Sequence, residues 1–182
     1  MSGAADALME ADFSFNVSDW KPEVSYDVSG DTGKLSVEQG SSGEGVRLGG
    51  DVRNEWYLRF NDAVPTDLVV ELGAEESDLD LDSLTLMGLD LEMGAGETTV
   101  DLTGDYAQGF DASIEGGVGE ATVLVPSVVG VRMRAEGGLG KINAEGFSRE
   151  GNTYVNHAYG DSEVTLDVEV RGGVGQINLE VV

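Results

Sequence analysis

Three groups of residues in this 182-residue chain have types and spacings that suggest chemistry. The first is the only histidine, His157, followed by Asp161 and Ser162. A hydroxyl, an imidazole and a carboxylate are the parts of a nucleophilic triad, but a triad is defined by geometry and not by nearness in the chain. With one histidine and no cysteine, a zinc site is short of nitrogen and sulfur ligands. A packing or capping histidine is the preferred reading. The second group is the alternating strip Glu76, Asp78, Asp80 and Asp82. Its carboxylates would line one face of a strand, where oxygen clusters suit a hard cation such as calcium; a hydrated outer face is preferred. The third is a set of glycine clusters, of which "EGGVGEATVLVP" (115–126) is the clearest.

Those clusters fail the tests for phosphate and calcium binding. A Walker loop requires G-x-x-x-x-G-K-[ST], yet the residue five before Gly140 is Ala135, and Lys141 is followed by Ile142. A dinucleotide fingerprint requires a third glycine and then a helix; after Gly117 and Gly119 that position is Thr122, and strand-like sequence follows. A calcium-binding β-roll places aspartate two residues after the last glycine, where this chain has Ala121, Ile142 and Ile177. Carboxylate pairs at glycosidase spacing are inevitable by chance among 35 acidic residues, and Arg132 and Arg134 are the only close basic pair on one strand face to hold an acidic sugar. The sequon Asn16–Ser18 is common by chance. No catalytic, cofactor-binding or metal-ligating residue is assigned, and no cofactor is expected.

Composition narrows the partners. The formal net charge is -25, with only three lysines, Lys21, Lys34 and Lys141. Nucleic acid is excluded, because phosphate binding needs clustered cations. Such self-repulsion is relieved by salt, which fits a halophilic source as well as it fits a merely soluble acidic protein. No apolar run of about 18 residues is present, so this segment is not expected to insert into a membrane.

The elements that carry these residues are strands. Period-two alternation runs through Phe13, Phe15 and Val17, then Val24, Tyr26 and Val28, then Leu35 and Val37, each read as a strand with one buried face. Turn residues punctuate them at "SGDTG" (29–33) and "QGSSGEG" (39–45). Seven of the twelve aromatics precede residue 61, which predicts a separate aromatic-rich β unit over residues 1–62 that caps the rest. Residues 63–182 then repeat: "LVVELGAEESDLDL", "LDLEMGAGETTVDL", "ASIEGGVGEATVLV", "MRAEGGLGKINAEG" and "DVEVRGGVGQINLE" align on Gly73, Gly94, Gly117, Gly138 and Gly173, in steps of 21, 23, 21 and 35 residues. A period near 21 holds two strands of about five or six residues and two corners. Leu89, Leu91, Met93, Val100, Leu102, Ala121, Val123, Val125, Val131, Met133, Val164, Leu166, Val168, Val170, Ile177 and Leu179 are predicted to face inward, and Asp90, Glu92, Asp101, Glu115, Asp167 and Glu169 outward. At the corners Gly116, Gly117 and Gly119 are expected to supply positive φ and close approach. The insertion 147–162, which holds His157, is read as a cap over the last repeat in preference to a functional loop. The final strand "GQINLEVV" has no visible cover, which predicts a homo-oligomer through that terminal strand.

The segments "WKPEVSYDVSGDTGKLSVEQ", "NEWYLRFNDAVPTDLVVELGA", "LDLEMGAGETTVDL", "IEGGVGEATVLVP", "EGGLGKINAEGF" and "NTYVNHAYG" resemble the toast-rack domain of bacterial and archaeal envelope proteins, which is similar to the C-terminal part of LiaF-type cell-wall stress regulators. The resemblance implies an all-β fold: a two-sheet, right-handed β-solenoid with glycine-rich corners, related to adhesin-type domains and without established catalytic residues. It implies upstream membrane helices and a further upstream unit that this segment lacks. Glu75 replaces the second corner glycine, so that corner is expected to be wider. The function implied is a non-enzymatic module of the cell envelope, extracytoplasmic and membrane-anchored in the full-length protein, with the cytoplasmic face of the membrane left open. Its partner would be a protein or a cell-wall polymer. The alternatives are a sensor domain that restrains a two-component signalling system and, more weakly, an enzyme acting on acidic polysaccharides.

Overall fold

A computed structural model of the chain describes residues 1–3, 5–40 and 52–182. Period-two sequence becomes strand throughout, in two units: Glu10–Leu58, and Met1–Met9 together with Arg59–Val182. Most of the turn predicted at 39–45 lies outside the described residues.

The smaller unit contains β1 (Met9–Phe15), a 3₁₀ turn at Ser18–Trp20, β2 (Pro22–Ser29), β3 (Thr32–Gln39) and most of β4 (Asn54–Phe60). β2 and β3 form an antiparallel hairpin whose turn includes Gly30 at φ 64°, as the "SGDTG" chemistry predicts. β1 pairs with β4, and Phe13 meets Trp56 edge-on at 5.3 Å. One expectation is corrected here. Val24, Tyr26 and Val28 alternate as a buried face would, yet all three are more than half exposed. A two-stranded ribbon offers no second layer to bury that face, so the alternation sorts side chains without covering them.

The larger unit is built on one seven-stranded sheet. Its members are β5 (Thr66–Asp80), β6 (Leu86–Asp101), β7 (Asp111–Val125), β8 (Gly130–Glu145), β9 (Ser148–Glu150), β10 (Thr153–Val155) and β11 (Thr165–Val181). Their spatial order is β5-β6-β7-β11-β8-β10-β9. Neighbours among β5, β6, β7, β11 and β8 are parallel, whereas β10 is antiparallel to both β8 and β9. Each repeat was expected to hold two short strands. Instead a single strand of 15–17 residues runs through the glycine corner, with the ladder continuing on both sides.

The side-chain pattern shows how one strand serves two layers. In β6 the inward residues are Leu89 and Leu91 before the corner and Thr98 and Val100 after it, with Leu102 following just beyond the strand. Parity changes across the corner from odd to even, and in β7 from even (Ala112, Ile114) to odd (Ala121, Val123, Val125). Strict alternation through an unbent strand would send the second arm's apolar residues to the opposite face. A bend with a parity change lets both arms enclose the same core. Leu91, Val100, Leu102, Ile114, Val123, Val131, Met133, Leu166 and Leu179 are fully buried in it. The inward expectations hold, with Met93 and Val164 only half-buried at the margin.

The corner glycines are required by their neighbours. A Cβ added to Gly94 would stand 2.2 Å from the carbonyl oxygen of Gly73; at Gly117, 2.1 Å from that of Gly94; at Gly173, 2.2 Å from that of Gly117; and at Gly138, 2.4 Å from that of Gly173. Each glycine thus packs against the equivalent carbonyl of the next strand in the sheet. Positive φ belongs to a second set, Gly96, Gly119, Gly140 and Gly175, at 136–157°. Positive φ is therefore confined to Gly119 among the three glycines expected to supply it, while Gly117 serves close approach. The corner beside Glu75 is not displaced in register, since Glu75 pairs with Gly96.

Two further expectations, on the terminal strand and on the 147–162 insertion, are corrected. The repeats do not stack in chain order, because the fifth, β11, lies between the third, β7, and the fourth, β8. The terminal strand therefore has both edges hydrogen-bonded, and no homo-oligomer can form through it without breaking the sheet. The 147–162 insertion begins as the β9–β10 hairpin, which pairs with the first arm of β8, the fourth repeat. It covers that strand's edge and not a face of the last repeat. Tyr154 is drawn into the core against Phe147.

Candidate interaction faces

Because the strands are parallel and in register, their outward residues form straight rows, neighbours about 4.8 Å apart. On the first arms one row reads Asp67, Gly88, Asp111, Asp167, Arg132 and the next Val69, Asp90, Ser113, Glu169, Arg134. Thr153 on β10 extends the second row beyond Arg134. An open cleft of about 470 Å³ lies on this face. Gly88 deepens it, because the row has no side chain between Asp67 and Asp111.

The cleft is acidic at one side and mixed at the other. Arg132 Nε donates to Asp167 Oδ1 at 2.5 Å. The hydrogen bond to Asp167, then that carboxylate's charge and the Tyr159 phenol, hold the guanidinium above its ordinary range. Farther along the arm, Arg171 bridges Glu115 at 2.6 Å and Glu169 at 2.7 Å. Among the described residues Arg134 has no ion-pair partner, and it lines the cleft beside Thr153. It offers an exposed planar donor set suited to a carboxylate or a diol.

The second arms present a flatter face. Glu76, Glu97, Glu120, Gln176 and Lys141 form one row, and Asp78, Thr99, Thr122, Asn178 and Asn143 the next. Amides tie the latter together: Asn143 Nδ2 donates to Asn178 Oδ1 at 2.9 Å, and Asn178 Nδ2 donates to Glu120 Oε1 at 2.6 Å. At the corner between the arms, Val118, Val174 and Leu139 stand side by side as an apolar ridge, Leu139 being 74 % exposed.

The residues singled out by sequence fall as follows. Glu76, Asp78 and Asp80 are exposed on alternate positions of β5, and Asp82 is exposed in the turn beyond it. Among the described residues no group of three or more histidines, aspartates and glutamates is arranged to hold a metal. Partial burial, then the charges of Asp80 and Asp101, push the Asp82 carboxyl above its ordinary 3.8. Beneath them Tyr106 donates to the Leu81 carbonyl at 3.3 Å, and burial followed by the Asp101 and Asp82 charges keeps its phenol protonated. His157 is exposed in a turn, and the Ser162 hydroxyl accepts from the Val164 N–H at 3.2 Å. The structure does not join His157, Asp161 and Ser162 into a hydrogen-bonded relay. Ala121 and Ile177 are buried and Ile142 half-buried, which fits the rejection of a calcium roll.

One structurally decisive residue was missed. Asn156 is buried, donates through Nδ2 to the carbonyls of Pro126 at 2.9 Å and Val129 at 2.7 Å, and accepts from the Val131 N–H at 3.0 Å. It fastens the turn after β10 to the start of β8. The only signal for it was an asparagine directly after the adjacent apolar residues Tyr154 and Val155, which reads equally well as an ordinary loop residue. Among the described residues no helix is long and apolar enough to cross a membrane.

Comparisons with known proteins agree with this geometry. No protein with a curated description matches the sequence. A solved protein of Clostridium sporogenes, provisionally described as a cell adhesion protein, superposes with a TM-score of 0.95 at 38 % identity, over 100 % of this chain and 86 % of that one. Residues 1–124 match the family described as the N-terminal domain of toast_rack, DUF2154. That match spans more than half of the chain, and the chain therefore belongs to the toast-rack N-terminal domain family.

Proposed function

We propose that this chain is a non-enzymatic interaction module of the cell envelope, and that the first-arm cleft is its contact face. The observation that carries this reading is the cleft itself: rows of aspartate, serine, threonine and arginine fixed at strand spacing on a core-backed sheet, with Arg134 lacking an ion-pair partner among the described residues. Side chains on packed strands are held in place before a ligand arrives, which lowers the ordering cost of binding. The full-length similarity to an adhesion-type protein supports an envelope setting. In this reading the bent repeats of about 21 residues are the units of a two-sheet, right-handed solenoid frame. The full-length protein is anchored to the membrane. The occupant is a cell-wall polymer or an envelope protein bearing carboxylates or diols, since these match both the arginine donors and the aspartate acceptors.

The test is binding of the purified chain to isolated cell-wall polymer and to solubilised envelope protein, each immobilised on a sensor surface. Arg134→Ala should weaken binding to one of them at least about tenfold, the usual range for losing a charge-assisted hydrogen bond. Its melting temperature should not change, because Arg134 is exposed. Wild-type binding by Arg134→Ala and by Asp90→Ala alike would remove the cleft from consideration. Binding to envelope protein alone would favour a sensor that restrains a signalling partner over an adhesive module.

A further inference from the structure

Among the described residues, one open stretch of the sheet's edge lies along β8. β10 pairs with β8 only at Arg132–Arg134, in the first arm. On the second arm β8 is the last strand, and among the described residues its outer edge from Glu136 to Glu145 has no backbone hydrogen-bond partner. At the other end of the sheet the end of β5's second arm is met by Met1, which donates to the Asp78 carbonyl and whose own carbonyl accepts from the Asp80 N–H.

The groups on that edge can be identified. In the first arm, residues with inward side chains turn their backbone groups toward β10: the Ala135 N–H donates to the Asn152 carbonyl at 3.1 Å, and the Val131 carbonyl accepts from the Asn156 N–H at 3.2 Å. After the corner both the chain direction and the inward direction reverse, which leaves the handedness of an L-residue strand unchanged. The inward residues of the second arm, Ile142 and Ala144, therefore point their N–H and C=O groups out at the free edge. Both are only half-buried, whereas the equivalent Ala121, Val123, Ile177 and Leu179 of interior strands are closed off almost completely. Open backbone groups and an uncovered end of the core thus coincide.

We propose that this edge pairs with the same edge of a second copy of this chain, antiparallel about a two-fold axis at Asn143. That register sets Lys141 opposite Glu145 of the partner subunit, and Glu145 opposite Lys141 of the partner subunit. Asn143 meets its own counterpart, and Ile142 and Ala144 exchange backbone hydrogen bonds with Ala144 and Ile142 of the partner subunit. Parallel pairing in register would instead oppose like charges. A two-fold contact needs a self-complementary strand, and this segment is one. The interface is independent of the first-arm cleft, and it differs from one through β11, whose edges are both occupied.

Sedimentation velocity on the purified chain tests this, in about 0.15 M salt, where general repulsion is screened beyond about 8 Å while contact pairs persist. The wild type should become dimeric as its concentration rises toward about 1 mM, the weak end of specific association. Ile142→Pro deletes an outward N–H that the monomer does not use, so it should abolish the dimer and leave the melting temperature nearly unchanged. Lys141→Glu should weaken the dimer at least about tenfold, in the range for opposing like charges across an interface, and the exchange Lys141→Glu with Glu145→Lys should restore it. The last pair keeps the test valid even if the proline variant fails to fold. A wild type that stays monomeric throughout overturns the proposal, as does a dimer that neither Ile142→Pro nor Lys141→Glu weakens.

Discussion

Replacing Gly117 with alanine isolates what the glycine corners are for. The equivalent glycines of β5 and β7 share a backbone setting, but their surroundings differ: a Cβ at Gly117 would lie 2.1 Å from the Gly94 carbonyl oxygen, whereas a Cβ at Gly73, on the outermost strand, meets nothing within 4 Å. Ordinary contact between carbon and oxygen requires more than 3 Å, so Gly117→Ala must push two parallel strands apart by about 1 Å or distort the corner. Overpacking of that kind costs about 1–3 kcal/mol. Gly73→Ala loses nothing of this sort and reduces the freedom of the unfolded chain, worth about 0.4–1 kcal/mol in favour of the fold. At about 2–4 °C per kcal/mol for a chain of this size, Gly117→Ala should melt several degrees below wild type and Gly73→Ala at or slightly above it. Differential scanning calorimetry on the three proteins measures the contrast. Equal melting temperatures for the two variants would refute the idea that a neighbouring carbonyl dictates glycine here. A loss at Gly73 as large as that at Gly117 would refute it too, and would point instead to an intrinsic conformational demand.

Two further perturbations are worth making. Asn156→Ala removes a side chain that satisfies two buried carbonyls and one N–H; it should cost about 2–4 kcal/mol in urea unfolding, and a change below about 0.5 kcal/mol would mean that water replaces the amide without penalty. Asp82 has a raised carboxyl pKa, so the folded chain holds its proton more tightly than the unfolded chain, and its contribution to stability grows as pH falls from neutral toward the ordinary 3.8. Asp82→Asn should therefore raise the melting temperature at pH 7 and lose that advantage toward pH 4, while a shift of equal size at both would rule out the Asp80–Asp82–Asp101 repulsion as its cause.

The strands, the glycine corners and nearly every core residue were legible because each repeat carries its burial pattern locally. Leu89 and Leu91, then Val100 and Leu102, declare two inward faces without help from the rest of the chain. The position of β11 was not legible. Its sequence fits beside β7 and β8 as well as it would fit at an end, and equivalent repeats hold no local record of their neighbours. Val24, Tyr26 and Val28 show the opposite failure, since alternation reports which residues share a side but not whether anything covers it. At the cleft, Arg132 and Arg134 were recognisable as a basic pair, yet only the structure showed that Arg132 is matched by Asp167 while Glu169, beside Arg134, pairs with Arg171 instead.

The interleaving of β11 also bears on how the chain reaches its native state. β8 touches its parallel neighbours only through β11, so until residues 165–181 arrive it has just the short β9–β10 hairpin to hold it. A nascent chain emerging from the ribosome can assemble β5, β6 and β7 one after another, but the fourth repeat must wait for the fifth to slot into the gap. Unlike a linear array whose units add independently, this sheet closes in one late, long-range step, which predicts slow and cooperative folding. Loss of the last strand would therefore release β8 as well, so that a truncation of about 17 residues detaches roughly twice its own length of sheet.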